Sequence, residues 1–375
     1  MIRPFDLTNW PTPIAFGPGR VTDLPALLDA AGIRRPLVVC GRSVAASPVL
    51  PRVVAALAHH PVGVYAGVES HAPLPSVRAG ADAAVQHGAD GLVSVGGGSA
   101  IDTAKCVALL LAVGTDVAPY EIHHGRTVSD PRRALPSSTL PHIAVPTTAG
   151  SASEVMRGAG FRDVAAGRRV LFRDPRLQPR AAVLDPELTV FAGPALTARS
   201  GMTAIARCVE ALYSRDRQPL SEALALRGWQ LLRRGLPRAV AAPDDVAARA
   251  ECQIGCLLSG VAVDNAMASV VHAIGHVMGG RYGLPHGVAH GILLPPALRL
   301  LWPSLGDSPP EAAGLADAVA DLRAVLPLPR RLRDAGVAAA DLAAIAAATM
   351  ADSMIAHTPR PVSEAEVRDL LEGAW

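Results

Sequence analysis

Short apolar runs alternate with amphipathic stretches over residues 14–190. The runs at 37–40, 62–65, 91–95 and 143–145 are short and continuous, which predicts strands buried on both faces. Between them, residues 21–31, 48–58, 74–86 and 99–113 carry apolar positions at helical spacing. Gly32 and Gly88 stop two of these helices, and Ser47 followed by Pro48 starts another. The alternation predicts a Rossmann-like, doubly wound parallel sheet with helices on both faces. Residues 168–172 and 181–184 read as two further strands, and the polar segment 123–138 as a surface excursion.

After residue 189 the texture changes. Long Ala/Leu stretches with helical spacing cover 200–214, 220–232, 245–259 and 266–278, with several more between 310 and 372. Breaks are expected at Pro219, Pro237, Pro243, Pro285, Pro295-Pro296 and the Pro327/Pro329 pair. The pattern therefore predicts two domains: an α/β domain over 1–190 and an all-helical domain over 191–375.

Composition agrees with that division and narrows the partners. A chain of 375 residues, half of them hydrophobic, buries more than one small core. Aromatic residues make up only 3%, which argues against an aromatic binding platform. Thirty-five basic residues against 33 acidic ones give a formal charge of +2, so no polyanionic partner such as nucleic acid is called for. The five cysteines, Cys40, Cys106, Cys208, Cys252 and Cys256, are scattered and odd in number, and read as free core thiols. The first thirteen residues do not read as a secretory leader, and the apolar run 106–113 is too short to span a bilayer. A cytoplasmic, reducing compartment is expected, with no membrane partner.

Three clusters carry chemistry. In the first, a strand ends at Val95 and Gly96, Gly97 and Gly98 follow, with Ser99 opening a helix. Glycines let backbone N–H groups approach a pyrophosphate, and the helix N-terminus favours its charge. The second lies at the end of the next strand, where Thr147, Thr148 and Ser151 supply hydroxyls for a ribose or phosphate. In the third, His272 and His276 lie four apart in a helix, and His286 and His290 lie four apart beyond a Gly/Pro break. Metal binding, proton transfer and anion binding could each use such a group.

Phe16-Gly17-Pro18-Gly19, Gly96-Gly97-Gly98-Ser99-Ala100-Ile101-Asp102-Thr103-Ala104-Lys105, Val145-Pro146-Thr147-Thr148-Ala149-Gly150 and Leu284-Pro285-His286-Gly287 together resemble the iron-containing (group III) alcohol dehydrogenase family, within the dehydroquinate-synthase-like superfamily. Arg173-Asp174-Pro175-Arg176, Leu184-Asp185-Pro186-Glu187-Leu188 and Gly201-Met202 through Glu210-Ala211-Leu212-Tyr213 are most similar to the maleylacetate reductase branch, whereas Pro285-His286-Gly287 is more like the general alcohol dehydrogenases. The resemblance implies reversible hydride transfer between a nicotinamide cofactor, NADP or NAD, and an alcohol or carbonyl. It also implies a homodimer. The family's metal site uses an Asp and a His four apart on one helix, a His on a second and the His of the Pro-His-Gly loop. Those positions fall on Thr203, Arg207, His272 and His286, and His276 matches a further active-site histidine. Thr203 and Arg207 are not ligands for a divalent ion, so no metal is expected.

The resulting expectation is an NAD(P)H-dependent reductase or dehydrogenase for a small carbonyl or alcohol bearing an anionic or polar group. Gly96, Gly97, Gly98, Ser99 and Asp102 belong to the pyrophosphate motif, with Thr147, Thr148 and Ser151 on the nicotinamide or ribose side. Gly41, Arg42 and Ser43 follow the strand 37–40, where NAD-preferring members often carry an Asp. Gly41 leaves room for a 2′-phosphate and Arg42 and Ser43 are able to bond it, so NADPH is expected to be accepted. His272, His276, His286 and Arg207 are the catalytic candidates, with Thr203, Arg207 and His290 toward the substrate. Glu210 is an alternative partner for Arg207. A redox-neutral lyase or cyclase on the same fold, and a non-catalytic homologue, remain as other readings.

Overall fold

The computed structural model describes residues 12–122, 134–137, 139–305 and 314–375. Most of the expected excursion at 123–138 lies outside the described residues. The chain divides after Ala192 into two compact units, two residues beyond the boundary read from composition.

The first unit is built on β1 (Ile14–Phe16), β2 (Pro36–Gly41), β3 (Gly63–Val68), β4 (Gly91–Gly96), β5 (His142–Pro146), β6 (Gly158–Asp163), β7 (Arg168–Arg173) and β8 (Ala181–Leu184). Six of these strands form one sheet in the order β1-β8-β5-β4-β2-β3, with every pairing parallel. Its helices are α1 (Leu24–Ala31), α2 (Arg42–Ala45), α3 (Val49–Ala56), α4 (Leu74–His87), α5 (Gly98–Val113) and α6 (Pro186–Thr189). Alternate residues of the central strands feed opposite faces. Leu37, Val39 and Leu92 pack with Val77, Ala81, Val107 and Leu109 of α4 and α5. Val38, Cys40, Val93, Val95 and Ile143 pack with Leu24, Leu28, Val49 and Val53 of α1 and α3. Burial on both faces explains the unbroken apolar runs. Gly32 and Gly88 end α1 and α4 in the left-handed region, and the Ser47 hydroxyl accepts the Val49 N–H at the start of α3.

Three expectations are corrected here. β1 was not predicted, because three residues give no readable period. As a result the glycine turn follows the fourth strand rather than the third. The stretch at 168–172 is a strand, but not of the parallel sheet: β7 pairs antiparallel with β6 in a separate hairpin. Lys105 on α5 anchors that hairpin by donating to the carbonyls of Met156 and Gly158 at 2.6 and 2.8 Å. Phe161 and Phe172 stack across it, with 5.6 Å between ring centroids.

The strand order reverses between β2 and β4, since the chain first steps outward to β3 and then returns to the other side of β2. In an open parallel sheet the crevice at the carboxyl ends of such strands is where ligands bind. The turns after β2 and β4 are therefore placed at the sheet's switch point.

The second unit contains α7 (Pro194–Tyr213), α8 (Pro219–Ala241), α9 (Val246–Ala266), α10 (Val270–Tyr282), α11 (His286–Leu301), α12 (Leu315–Ala324), α13 (Leu342–Thr349) and α14 (Glu364–Ala374). Pro237 and the Pro295-Pro296 pair do not break helices, contrary to expectation; they lie inside α8 and α11. Buried Leu293, Leu294, Ala297 and Leu298 flank the pair, and such packing outweighs the roughly 3 kcal/mol an interior proline costs. Helices α8 and α9 approach backbone to backbone, where a Cβ on Gly228 would stand 3.1 Å from the Gly255 carbonyl and the reverse holds equally. α9 is long and apolar enough to cross a membrane by length and composition alone, but 67% of its apolar window is buried inside the protein, as in a core helix. All five cysteines are free and buried.

His142 on β5 supplies a pH test. It is buried against Ser94, which its Nε2 meets at 2.7 Å, and burial pulls its pKa down to about 3, with the Lys105 charge adding to the effect. The folded ring stays neutral, whereas the unfolded ring takes up a proton below about pH 6.5. Its contribution to stability is full above pH 6.5 and is lost as pH falls toward 3, by about 1.4 kcal/mol per pH unit. Unfolding midpoints of the native protein should fall between pH 6.5 and 4 more steeply than those of His142→Gln, which can still bond Ser94. Parallel profiles would refute this.

Candidate active site

The three glycines from the end of β4 to the start of α5 are required by what touches them. Gly96 has φ 149° and a Cβ there would stand 2.9 Å from the Ala100 Cβ. A Cβ on Gly97 would meet Thr148 at 3.0 Å, and one on Gly98 would meet Ser151 at 2.8 Å. The Thr147 N–H donates to the Gly96 carbonyl at 2.9 Å. The structure thus brings Gly96–Gly98 and Thr147, Thr148 and Ser151 together as one lip at the sheet edge. Gly41, Arg42 and Ser43 follow β2 beside it: Val44 of the same turn lies within 3.9 Å of the Gly96 Cβ position. Arg42 and Ser43 are exposed, and Arg42 has no carboxylate partner among the described residues. A bare glycine cradle at the start of the 16-residue α5 fits a pyrophosphate.

Two motif residues have other partners. The Asp102 carboxylate pairs with Arg169 of β7 at 2.8 Å, so it fastens the hairpin to α5. The Ser99 hydroxyl accepts the His71 N–H at 3.0 Å, which holds the loop after β3 against the start of α5.

In the helical unit the histidines form two layers. His272, Gly275, His276 and Gly279 share one face of α10. The glycines let α11 approach: a Cβ on Gly275 would stand 2.6 Å from His290 Nε2, and one on Gly279 3.4 Å from the His286 ring. On the other side, a Cβ on Gly287 would fall 1.6 Å from the Arg199 carbonyl of α7 and 3.0 Å from the Thr203 hydroxyl, so α11 presses directly on α7. The rings of His272 and His290 are 4.1 Å apart, and the pairs His276–His286 and His286–His290 are each 5.6 Å apart. His276, His286, Thr203 and Arg207 are partly exposed, while His272 and His290 are buried beneath them. The structure therefore places His290, expected toward the substrate, under the other rings.

Glu210 sets this arrangement, a role the sequence did not suggest beyond a pairing with Arg207. It is fully buried. One carboxylate oxygen accepts the N–H of Val271 at 2.9 Å and the Tyr213 hydroxyl at 3.0 Å, and the other meets His272 Nδ1. Burial pushes its pKa up to about 7, against the pull of its hydrogen bonds. Burial also pulls His272 and His290 well below the usual histidine value, and the Arg207 charge pulls both in the same direction. Burial thus disfavours a charge on either ring, and His272 Nε2 and both nitrogens of His290 have no hydrogen-bond partner.

A second carboxylate, Asp352, was missed altogether. Its Oδ2 meets His276 Nδ1 at 2.9 Å, and its Oδ1 accepts the Met354 N–H at 2.8 Å, capping the short helix Ser353–His357. Burial raises the Asp352 carboxyl, but the His276 charge and these hydrogen bonds outweigh it and leave its pKa lowered. The available signals were weak: a lone acid inside the apolar run 208–212 for Glu210, and an Asp-Ser cap for Asp352.

Two family models match this chain: iron-containing alcohol dehydrogenase over residues 11–186, and the Fe-containing alcohol dehydrogenase C-terminal model over 197–305 and 300–375. A 4-hydroxybutyrate dehydrogenase of Cupriavidus necator is 33% identical over 94% of this chain and 96% of its own. The chain belongs to the iron-containing alcohol dehydrogenase family. A solved 1,3-propanediol oxidoreductase superposes over all of both chains with a TM-score of 0.89 at 28% identity. A maleylacetate reductase from Agrobacterium tumefaciens gives 0.82 at 28% identity over 100% and 99% of the two chains. Relatives from different branches are thus similarly distant, and none is favoured. The chain is an NAD(P)-dependent oxidoreductase acting on a CH–OH or carbonyl group, which sets aside the redox-neutral and non-catalytic readings.

The family's metal is a different matter. Of its four positions, Thr203 spends its hydroxyl on the Arg199 carbonyl at 3.3 Å, Arg207 is a cation, and His272 Nδ1 is held by Glu210. Among the described residues no three His, Cys, Asp or Glu side chains converge as a metal-holding group. The donor set does not fit a divalent ion.

Glu210→Met would leave the Val271 N–H, the Tyr213 hydroxyl and His272 Nδ1 without an acceptor. Each orphaned buried donor costs about 1–3 kcal/mol. Glu210→Gln keeps a carbonyl for Val271 and Tyr213 and can give an N–H to His272. Denaturation midpoints should therefore rank native, then Gln, then Met; a Met variant as stable as the native protein would refute the assignment.

Proposed function

We propose that this enzyme transfers hydride reversibly between NADP(H) and a small carbonyl or alcohol that carries a carboxylate or similar anion, with Arg207 acting where the family's metal would act. The observation that carries this is a permanent cation at a metal-ligand position, beside two buried rings whose surroundings disfavour a positive charge. A divalent ion polarises a carbonyl and stabilises the developing alkoxide. A guanidinium supplies fixed charge and up to five donors for the same oxygen, or for a substrate carboxylate. The names of 4-hydroxybutyrate dehydrogenase and maleylacetate reductase denote carboxylate-bearing substrates, and the wording at 173–176 and 184–188 supports that side of the family. His286 and Thr203 line the same partly exposed layer, and His272 and His290 support it from below. A homodimer in a reducing cytoplasm belongs to the same reading, supported by five buried free thiols.

Steady-state assays should show 4-oxo and 2-oxo acids turned over in preference to aldehydes of equal length without the acid. Arg207→Ala should lose roughly 2–4 kcal/mol of transition-state stabilisation in kcat/KM. Activity should be insensitive to chelators, and the purified protein should hold no stoichiometric iron or zinc. Activity abolished by chelation and restored by a metal would overturn the proposal.

On the cofactor side, the same reading assigns a 2′-phosphate to Gly41, Arg42 and Ser43. An Arg–phosphate contact is charge-assisted and bidentate, so NADPH should bind at least as tightly as NADH. Arg42→Ala should weaken NADPH alone. Dissociation constants measured by nicotinamide fluorescence decide this, and a strong preference for NADH would count against it.

A further inference from the structure

His276 and His286 are the two rings of the cluster with surface to offer a substrate. For His276 the structure also specifies which nitrogen is offered. Its Nδ1 faces Asp352 Oδ2 at 2.9 Å, and the two side chains are 15% and 13% exposed. A carboxylate can only accept, so the ring proton belongs on Nδ1. The other carboxylate oxygen is already committed to the Met354 N–H, which fixes Asp352 from behind.

We propose that Asp352 is the positioning residue that makes His276 the proton donor and acceptor of the reaction, by keeping the proton of the neutral ring on Nδ1 and reserving Nε2 for the substrate oxygen. This rests on the carbonyl–alcohol reaction proposed above. In reduction, the carbonyl carbon accepts hydride from the reduced nicotinamide and the C=O π pair moves to oxygen. That oxygen takes the proton from Nε2 of the protonated ring, giving the alcohol. His276 is left neutral, with its remaining proton on Nδ1 against Asp352, and regains the other from water. In oxidation the neutral Nε2 accepts the hydroxyl proton as hydride leaves.

The geometry predicts a specific failure in Asp352→Asn. The Met354 N–H still demands an acceptor, so the amide carbonyl stays there and the NH2 group turns toward His276. Nδ1 must then accept, and the ring proton moves to Nε2. A neutral ring in that state has no free nitrogen facing the substrate.

Imidazole 15N spectra of the complete native protein, with the His276 signals assigned from a His276→Gln spectrum, should show the neutral Nδ1–H tautomer. The Asp352→Asn spectrum should show Nε2–H. With turnover, kcat should fall roughly 10²–10⁴-fold while the NADPH dissociation constant and the KM for substrate stay within a few-fold, and Asp352→Glu should recover part of kcat. An Nε2–H tautomer in the native protein would overturn the proposal without reference to any variant. So would an unaltered tautomer with unaltered kcat in a folded Asp352→Asn. Failure of the carbonyl panel itself would refute the substrate reading while leaving the tautomer result intact.

Discussion

The helical unit depends on one buried carboxylate. Glu210 sits in the middle of an otherwise apolar stretch of α7 and receives the N–H groups at the start of α10, together with the Tyr213 hydroxyl and His272 Nδ1. The first N–H groups of any helix lack intrahelical partners, and here a side chain from another helix supplies the acceptor. That contact fixes both where α10 begins and its rotational phase. Phase is what matters, because it decides that His272, Gly275, His276 and Gly279 face α11. Had α10 turned by one residue, Ala273 and Val277 would stand where His272 and His276 now face α11. The cost is visible in the chemistry of Glu210 itself, whose pKa burial drives up to about 7.

Backbone strain collects at the same places. Among the described residues, four non-glycine residues have positive φ: His71, Ala72, Ala152 and Met267. His71 gives its N–H to Ser99, and Ala72 follows it in the loop. Ala152 follows Ser151, the residue a Cβ on Gly98 would strike. Met267 closes α9 just before the α10 start that Glu210 grips. Such conformations cost on the order of 1–3 kcal/mol each and persist where surrounding structure over-determines them. His71 and Ala152 adjoin residues of the glycine lip and Met267 precedes the histidine layer, so three of the four lie beside the residues to which the chemistry is assigned.

Much of this was legible in the sequence, for definite reasons. Strands buried on both faces write themselves as unbroken Val/Leu/Ile runs, so β2, β4 and β5 were readable to within a residue or two. The glycine turn was readable because three consecutive glycines after a strand have few other uses. What escaped reading depends on the third dimension. β1 has three residues and borrows its partner from β8, 168 positions away. β7 has the same local pattern as a sheet strand and is diverted into a hairpin by Lys105 and Asp102. Pro295 and Pro296 carry a strong local breaking signal that buried neighbours override. Asp352 lies 76 positions from the ring it holds, and no spacing rule connects the two.

The same logic bears on how a metal-site helix comes to carry an arginine. Thr203 and Arg207 remain four apart on one face of α7, so the scaffold still aims both positions the same way. A cation in the second of them acts on everything nearby: its charge helps hold His272 and His290 neutral, and neutral rings can pack at 4.1 Å without repulsion. A dication held by these rings would instead need their lone pairs turned toward it. His272 has already given Nδ1 to Glu210, and His290 has both nitrogens buried without partners. Restoring Asp and His at 203 and 207 would therefore supply two ligands but also remove the charge that keeps the buried layer neutral. The arginine and the packed histidines form one electrostatic unit, and exchanging either alone leaves the other in an environment built for its partner.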